Sequence, residues 1–267
     1  MNQPAVLFDE SHCEQCACGE GLDFSFTFAF QPIVDVLNKS VYAYEALVRG
    51  ENGESAGSVL SQVDEEMRYA FDQQCRVTAI EDAVKAGILE TDAKLSINFL
   101  PNAVYSPLAC IQLTLATARA CDLPTDRLLF ELTENERMDD TEHVRNIVES
   151  YKSMGFSTAI DDFGAGHAGL GLLAKIQTDY LKLDMELIRS IDSSVSRRVI
   201  VQGIVRIATR LGITVVAEGI ETVEEWTTLR LLGIRYCQGY LFAKPGFRTL
   251  PEVHWPTPQE PSKSAVA

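Results

Sequence analysis

A single TIM-like (β/α)8 barrel with an antiparallel first strand is the α/β fold class that this sequence predicts, and three observations predict it. Apolar, β-branched runs alternate with helical stretches through most of the chain, the pattern of a sheet of largely parallel strands. Seven of those runs end on a polar or charged residue, and a barrel would gather all seven on its C-terminal face. The length, 267 residues, suits the roughly 250 that such a barrel uses as one domain.

The first run, Phe28 to Asp35, is followed after only five residues by Val41 to Tyr44. That gap is too short for a parallel crossover, so these two strands are expected to pair antiparallel and to open the barrel irregularly. Val41 to Tyr44 runs into Glu45, Leu95 to Ile97 into Asn98, and Leu128 to Phe130 into Glu131. From Thr141 to Gly155, Val144, Ile147, Val148, Tyr151 and Met154 recur at three- and four-residue steps, which marks an amphipathic helix. Gly155 supplies a left-handed cap, and Ser157 to Ile160 then reads as a strand that runs into Asp161 and Asp162. Tyr180-Leu181 leads to Lys182. The unit of helix, glycine, strand and polar residue returns at Leu211-Gly212 before Thr214 to Glu218, and at Leu232-Gly233 before Tyr236 to Gln238.

Composition narrows the partners. Hydrophobic residues at 46% and charged residues at 23% describe a globular protein with a sizeable core. A formal net charge of −15 repels polyanions and argues against duplex nucleic acid. An anionic small ligand remains admissible where bound cations reverse the local sign. No apolar run reaches the ~18 residues of a membrane helix, and the N-terminus lacks an export signal, so a cytoplasmic location without membrane contact is expected. Residues 1–24 read as a cysteine-containing leader, 25–250 as the barrel and 251–267 as a tail.

Carboxylates at the ends of buried strands are costly unless paired, hydrogen-bonded or bound to metal. Glu45, Glu131, Asp161, Asp162 and Glu218, with the amide oxygen of Asn98, form a hard-oxygen set suited to Mg²⁺ or Mn²⁺ rather than zinc. Taken singly, each acid is as readily a solvated loop residue or a salt-bridge partner. Adjacent Asp161 and Asp162 suit two neighbouring cations, the usual apparatus for attack on a phosphodiester. Lys182 is either a structural counter-charge or a group that orients the nucleophile.

These residues carry a resemblance. Glu45-Ala46-Leu47, preceded by Gln31-Pro32-Ile33-Val34-Asp35, resembles the signature of the EAL family of cyclic di-GMP phosphodiesterases. Glu131-Leu132-Thr133-Glu134, Asp161-Asp162-Phe163-Gly164, Lys182-Leu183-Asp184, Ala217-Glu218-Gly219-Ile220-Glu221 and Gln238-Gly239-Tyr240 match further blocks in order, from about Phe28 to Pro245. The resemblance implies two-metal hydrolysis of cyclic di-GMP to linear pGpG. It implies one metal held by Glu45, Asn98, Glu131 and Asp161, and a second by Asp161, Asp162 and Glu218. Lys182 is implied beside the nucleophile, and Glu134 is implied to fix the loop after Asp162. Gln31, Leu47, Arg49, Asn98 and Gln238 fall at positions that contact substrate, with Asp184 and Glu221 supporting the site from behind. A homodimer through the segment after Asp162 is also implied. Gly50, and Ala165 to Gly169 with His167 read as a surface residue, depart from the family pattern without touching a metal position. The rival reading is a catalytically silent cyclic di-GMP receptor or protein-interaction module.

His12, Cys13, Cys16 and Cys18 place four soft ligands within seven residues, a spacing that could bind Zn²⁺ or respond to oxidation. The bland alternative is a leader with incidental thiols, since no second ligand pair follows at finger spacing.

Overall fold

The computed structural model describes residues 22–133, 140–165 and 169–257. Eight strands close a barrel: β1 (Phe26–Asp35), β2 (Ser40–Gly50), β3 (Lys94–Phe99), β4 (Leu128–Thr133), β5 (Ser157–Phe163), β6 (Tyr180–Leu183), β7 (Thr214–Ala217) and β8 (Tyr236–Cys237). Strands β2 to β8 are parallel neighbours in sequence order. The first strand closes the ring by pairing antiparallel with both β2 and β8. A short ninth strand, β9 (Gly246–Phe247), pairs with β1 outside the ring. The expected barrel with its reversed first strand is therefore the fold observed. The β1–β2 hairpin is longer than its apolar runs suggested, because β2 continues past Glu45 with alternating faces as far as Gly50.

The helices form an outer layer: α1 (Arg68–Lys85), α2 (Thr141–Ser153), α3 (Val195–Leu211) and α4 (Val223–Leu231), with the helix Gln112–Ala120 and shorter helical turns between them. Asp140 caps α2 by accepting from the N–H groups of Glu142 and His143, and Val144, Ile147, Val148 and Tyr151 form its buried face. Full burial of one such side chain stabilises by roughly 1.5–3 kcal/mol. Gly155 ends this turn at φ 90°, in the left-handed region that favours glycine.

Most of the core lies between strands and helices, while a second, smaller cluster of Ile33, Ala43 and Val216 fills the barrel interior. Tyr42, Tyr180 and Tyr236 pack against that cluster, the first and last with ring centroids 4.5 Å apart. They floor the barrel, so the charged layer above them has one open side. After Leu250, Val253 and Trp255 stay packed against the core, and the His254 N–H donates to the Phe242 carbonyl at 2.8 Å. Among the described residues no helix is long and apolar enough to cross a membrane.

Candidate active site

Period-two alternation decides which side chains enter the barrel. Glu45, Ser96, Asn98, Glu131, Asp161 and Lys182 point into the mouth from β2 to β6, and Glu218 and Gln238 join them from the residues after β7 and β8. Asp161 and Asp162 are adjacent and would face opposite ways on a regular strand. The β5–β6 register shifts between Ile160 and Phe163, and Asp162 takes φ 53°. This bulge turns both carboxylates toward the opening.

Lys182 stands at the centre. Its Nζ donates to Glu131 Oε2 at 2.7 Å and lies 2.6 Å from Glu218 Oε1, 2.9 Å from Asp161 Oδ1 and 3.4 Å from Glu45 Oε2. Burial works against its charge, but Asp161, Glu131, Glu218 and Glu45 outweigh that penalty and hold the ammonium well above the ordinary lysine range. Burial, then repulsion from Glu45 and Asp161, pushes Glu131 up to about 8 against the pull of Lys182. Burial and the neighbouring Asp161 push Asp162 up to about 6. Glu218 is driven well above the usual carboxylate range, by burial first and by Asp161 next. These carboxyls rise together because the cluster holds more negative charge than its one ammonium offsets.

Two groups of carboxylates have ligand atoms within 4.8 Å of one another: Glu45, Glu131 and Asp161, and then Asp161, Asp162 and Glu218. They share Asp161, as the sequence motifs imply. Asn98 donates Nδ2 to Glu45 Oε1 at 3.2 Å, whereas its Oδ1 is buried without a hydrogen-bond partner. An orphaned buried carbonyl oxygen beside carboxylates suits a hard cation. Ionised in full, five carboxylates against one ammonium leave four negative charges, the amount two divalent cations neutralise. No His or Cys belongs to either group, and the donor set fits Mg²⁺ or Mn²⁺.

The mouth opens into a cavity of about 470 Å³. Gln31, Leu47, Asn98 and Gln238 line it with the acids, as do Asp184 and Glu221. Gln238 donates Nε2 to Glu45 Oε2 at 2.7 Å and to Gln31 Oε1 at 3.2 Å, and its own Oε1 is buried without a hydrogen-bond partner. Asp184 caps the short helix Met185–Ile188 by accepting from the Glu186 N–H, and Glu221 pairs with Arg189. Arg49 shares the strand face of Glu45 and Leu47, but Nη1 donates to the Val48 carbonyl at 2.7 Å and the residue is not among those lining the cavity. Two close approaches shape the wall. A Cβ on Gly219 would lie 2.4 Å from Met185 Cβ, and one on Gly239 only 2.1 Å from the Ile220 carbonyl oxygen.

Three contributors were not singled out from the sequence. Ser96 donates its hydroxyl to Glu131 Oε1, and its position two before Asn98 was the signal available. Met185 and Tyr240 line the cavity, with Lys244 over the Tyr240 ring at 5.5 Å. Glu134, His167, His12, Cys13, Cys16 and Cys18 lie outside the described residues.

Fold and mouth together define a (β/α)8 barrel whose polar end carries clustered carboxylates that could hold a metal ion. The chain belongs to the EAL domain family, which it matches over residues 22–245. It is 36% identical over 253 residues to the blue light- and temperature-regulated antirepressor BluF of Escherichia coli strain K12, covering 94% of this chain and 62% of that protein. With the probable cyclic di-GMP phosphodiesterase PdeN of the same strain it shares 29% over 231 residues, 82% of this chain and 43% of that one. The chain thus spans less than two thirds of these curated relatives. Among solved structures it superposes on a standalone EAL protein from Vibrio cholerae O395 in its c-di-GMP-bound form, with TM-score 0.84 and 51% identity, covering 88% of this chain and 98% of that one. Klebsiella pneumoniae BlrP1 with manganese and cyclic di-GMP gives TM-score 0.82 and 37% identity, covering 88% and 59%.

Proposed function

We propose that the chain hydrolyses cyclic di-GMP to linear pGpG with two divalent cations, Mg²⁺ or Mn²⁺. The observation that carries this reading is the convergence of two carboxylate groups sharing Asp161, beside the unpartnered Asn98 Oδ1, at the head of a cavity large enough for a small ligand. Glu45, Asn98, Glu131 and Asp161 would hold one cation, and Asp161, Asp162 and Glu218 the other. Cations bound there supply Lewis acidity to the phosphodiester and to water at neutral pH.

The chain's own residues do the remaining work. Lys182, held protonated by its four carboxylate neighbours, acts through its charge and its N–H donors and not as a base. It orients the attacking water and offsets charge that gathers as the ester bond breaks. Gln238 Oε1 is free to accept a hydrogen bond from the ligand, while its amide nitrogen ties Gln31 and Glu45 into one framework. Leu47 gives the cavity an apolar wall, and Arg49, on the same strand face, is assigned to a phosphate through its planar fork. Glu134 is assigned the role of fixing the loop that follows Asp162. A homodimer through the segment after Asp162 belongs to the same reading.

A second reading, a silent receptor or interaction module, is favoured by one finding: the relative matching 94% of this chain is named an antirepressor. Incubating the purified chain with cyclic di-GMP and Mg²⁺ or Mn²⁺, then separating products by chromatography, decides between them. Release of pGpG is expected. Ligand that binds under both metals and is recovered intact would transfer the assignment to the receptor.

A further inference from the structure

Behind the mouth, between α1 and the outer faces of β3 and β4, lies a second buried charge cluster that takes no part in the cavity. Asp72 and Arg76 sit one turn apart on α1, with Arg76 Nη2 2.7 Å from Asp72 Oδ2. Arg76 Nη1 donates to the Tyr151 hydroxyl at 2.8 Å, and the guanidinium stacks over Phe99 at 5.4 Å and Phe130 at 5.5 Å. Asp72 Oδ1 accepts the Leu100 N–H at 2.9 Å.

The ring contacts and the Leu100 bond fall next to the mouth in sequence. Phe99 follows Asn98, Phe130 precedes Glu131, and Leu100 is the first residue beyond β3. Neighbours on a strand face opposite ways, so the pair grips the back of β3 and β4 where their front presents Asn98 and Glu131. Those two residues are register partners. A buried ion pair is seldom more stabilising than apolar side chains of its own size. Apolar residues at 72 and 76 would fill the same space, but they could not hold the Leu100 N–H.

We propose that Asp72, with Arg76 as its structural counter-charge, is a positioning residue that sets Asn98 for divalent-cation uptake beside its register partner Glu131, an inference that rests on the cation site proposed above. The oxygen of Asn98 that has no partner stays aimed at that site because the backbone two residues on is pinned from outside the barrel.

Manganese binding by titration calorimetry tests this at a temperature where each variant is folded by circular dichroism. Asp72→Ala should weaken Mn²⁺ binding by about 10-fold, the scale of losing a supporting contact to a ligand. Asp72→Asn, which keeps an oxygen for Leu100, should recover most of that affinity even where it melts no higher than Asp72→Ala. Tyr151→Phe, which loosens Arg76 without touching β3, should lower the melting temperature and leave Mn²⁺ affinity within about 2-fold of the parent. If Asp72→Ala does not fold, Asp72→Glu keeps the charge while moving the oxygen off Leu100, and it should show the same weakening. Parent-like affinity in whichever of Asp72→Ala and Asp72→Glu is folded, or an equal loss in Tyr151→Phe, overturns the positioning role. A parent chain that takes up no manganese overturns the cation reading as well.

Discussion

Arg76 and Lys182 are both shut away from water, at 0% and 1% exposure, yet they are partnered in opposite ways. Arg76 faces one carboxylate, one phenol and aromatic rings, so its positive charge is met one for one. Lys182 faces four carboxylates within 3.4 Å, with Asp162 close by in the same cluster. A matched pair needs nothing from solution. A mismatched cluster is stable only with added protons or added cations, and excess buried charge of this kind separates a working site from a structural one.

The contrast breaks most visibly at Asp161, which belongs to both carboxylate groups. Asp161→Asn should lower pGpG release by on the order of 10³-fold, as expected when charge stabilisation at a reacting centre is lost. Turnover close to that of the parent would remove the shared-ligand assignment. A middle-sized effect sharpens the comparison. Arg76→Met strands a buried Asp72 and should cost about 3–5 kcal/mol, whether or not manganese is present. Lys182→Met should destabilise the metal-free chain by a similar amount, because its acids then repel one another, and Mn²⁺ should restore most of the loss. Melting curves that respond alike to manganese in both variants would erase the distinction.

The smallest effect lies in pH. Glu131 and Asp162 have folded-state values pushed up to about 8 and about 6, so each favours the folded chain while it carries its proton. Their contribution is complete below the ordinary carboxylate range and fades as pH rises through 6 and then 8. The metal-free chain should therefore melt progressively lower from pH 5 to 8.5. Mn²⁺ affinity should climb over the same window, since the ligands must shed protons to bind. Thermal scans at saturating and zero manganese measure both, and a Mn²⁺-induced shift that does not grow with pH would contradict the sign.

The mouth was legible because polar residues end apolar runs. Glu45, Asn98, Glu131, Lys182 and Gln238 each break a run of Val, Ile, Leu, Phe, Tyr or Cys, and a barrel brings such breaks together. What local sequence could not carry depends on contacts far along the chain. Asp72 and Arg76, in the stretch Phe71 to Arg76, look like an exposed i,i+4 pair on a helix surface, and only the packing of Phe99, Phe130 and Tyr151 makes them interior. The bulge at Asp162 is hidden for a similar reason. A positive φ at an aspartate has no composition signal, and it shows only in the shifted register with β6. Reading β2 as ending at Glu45 also understated the hairpin, since the alternation of Leu47 and Arg49 with Val48 continues the strand.

The reversal of β1 has an outcome beyond closing the ring. In an all-parallel barrel the leading strand would start at the floor, on the side away from the chemistry. Here Phe26 is paired with Gly50, at the rim end of β2, and the strand descends from there toward Tyr236. Phe24 and Phe26 lean on Phe71, the residue before Asp72. The polypeptide therefore enters its scaffold at the rim that carries the carboxylates, and the aromatic packing of Phe24 and Phe26 ties that entry point to the helix bearing Asp72.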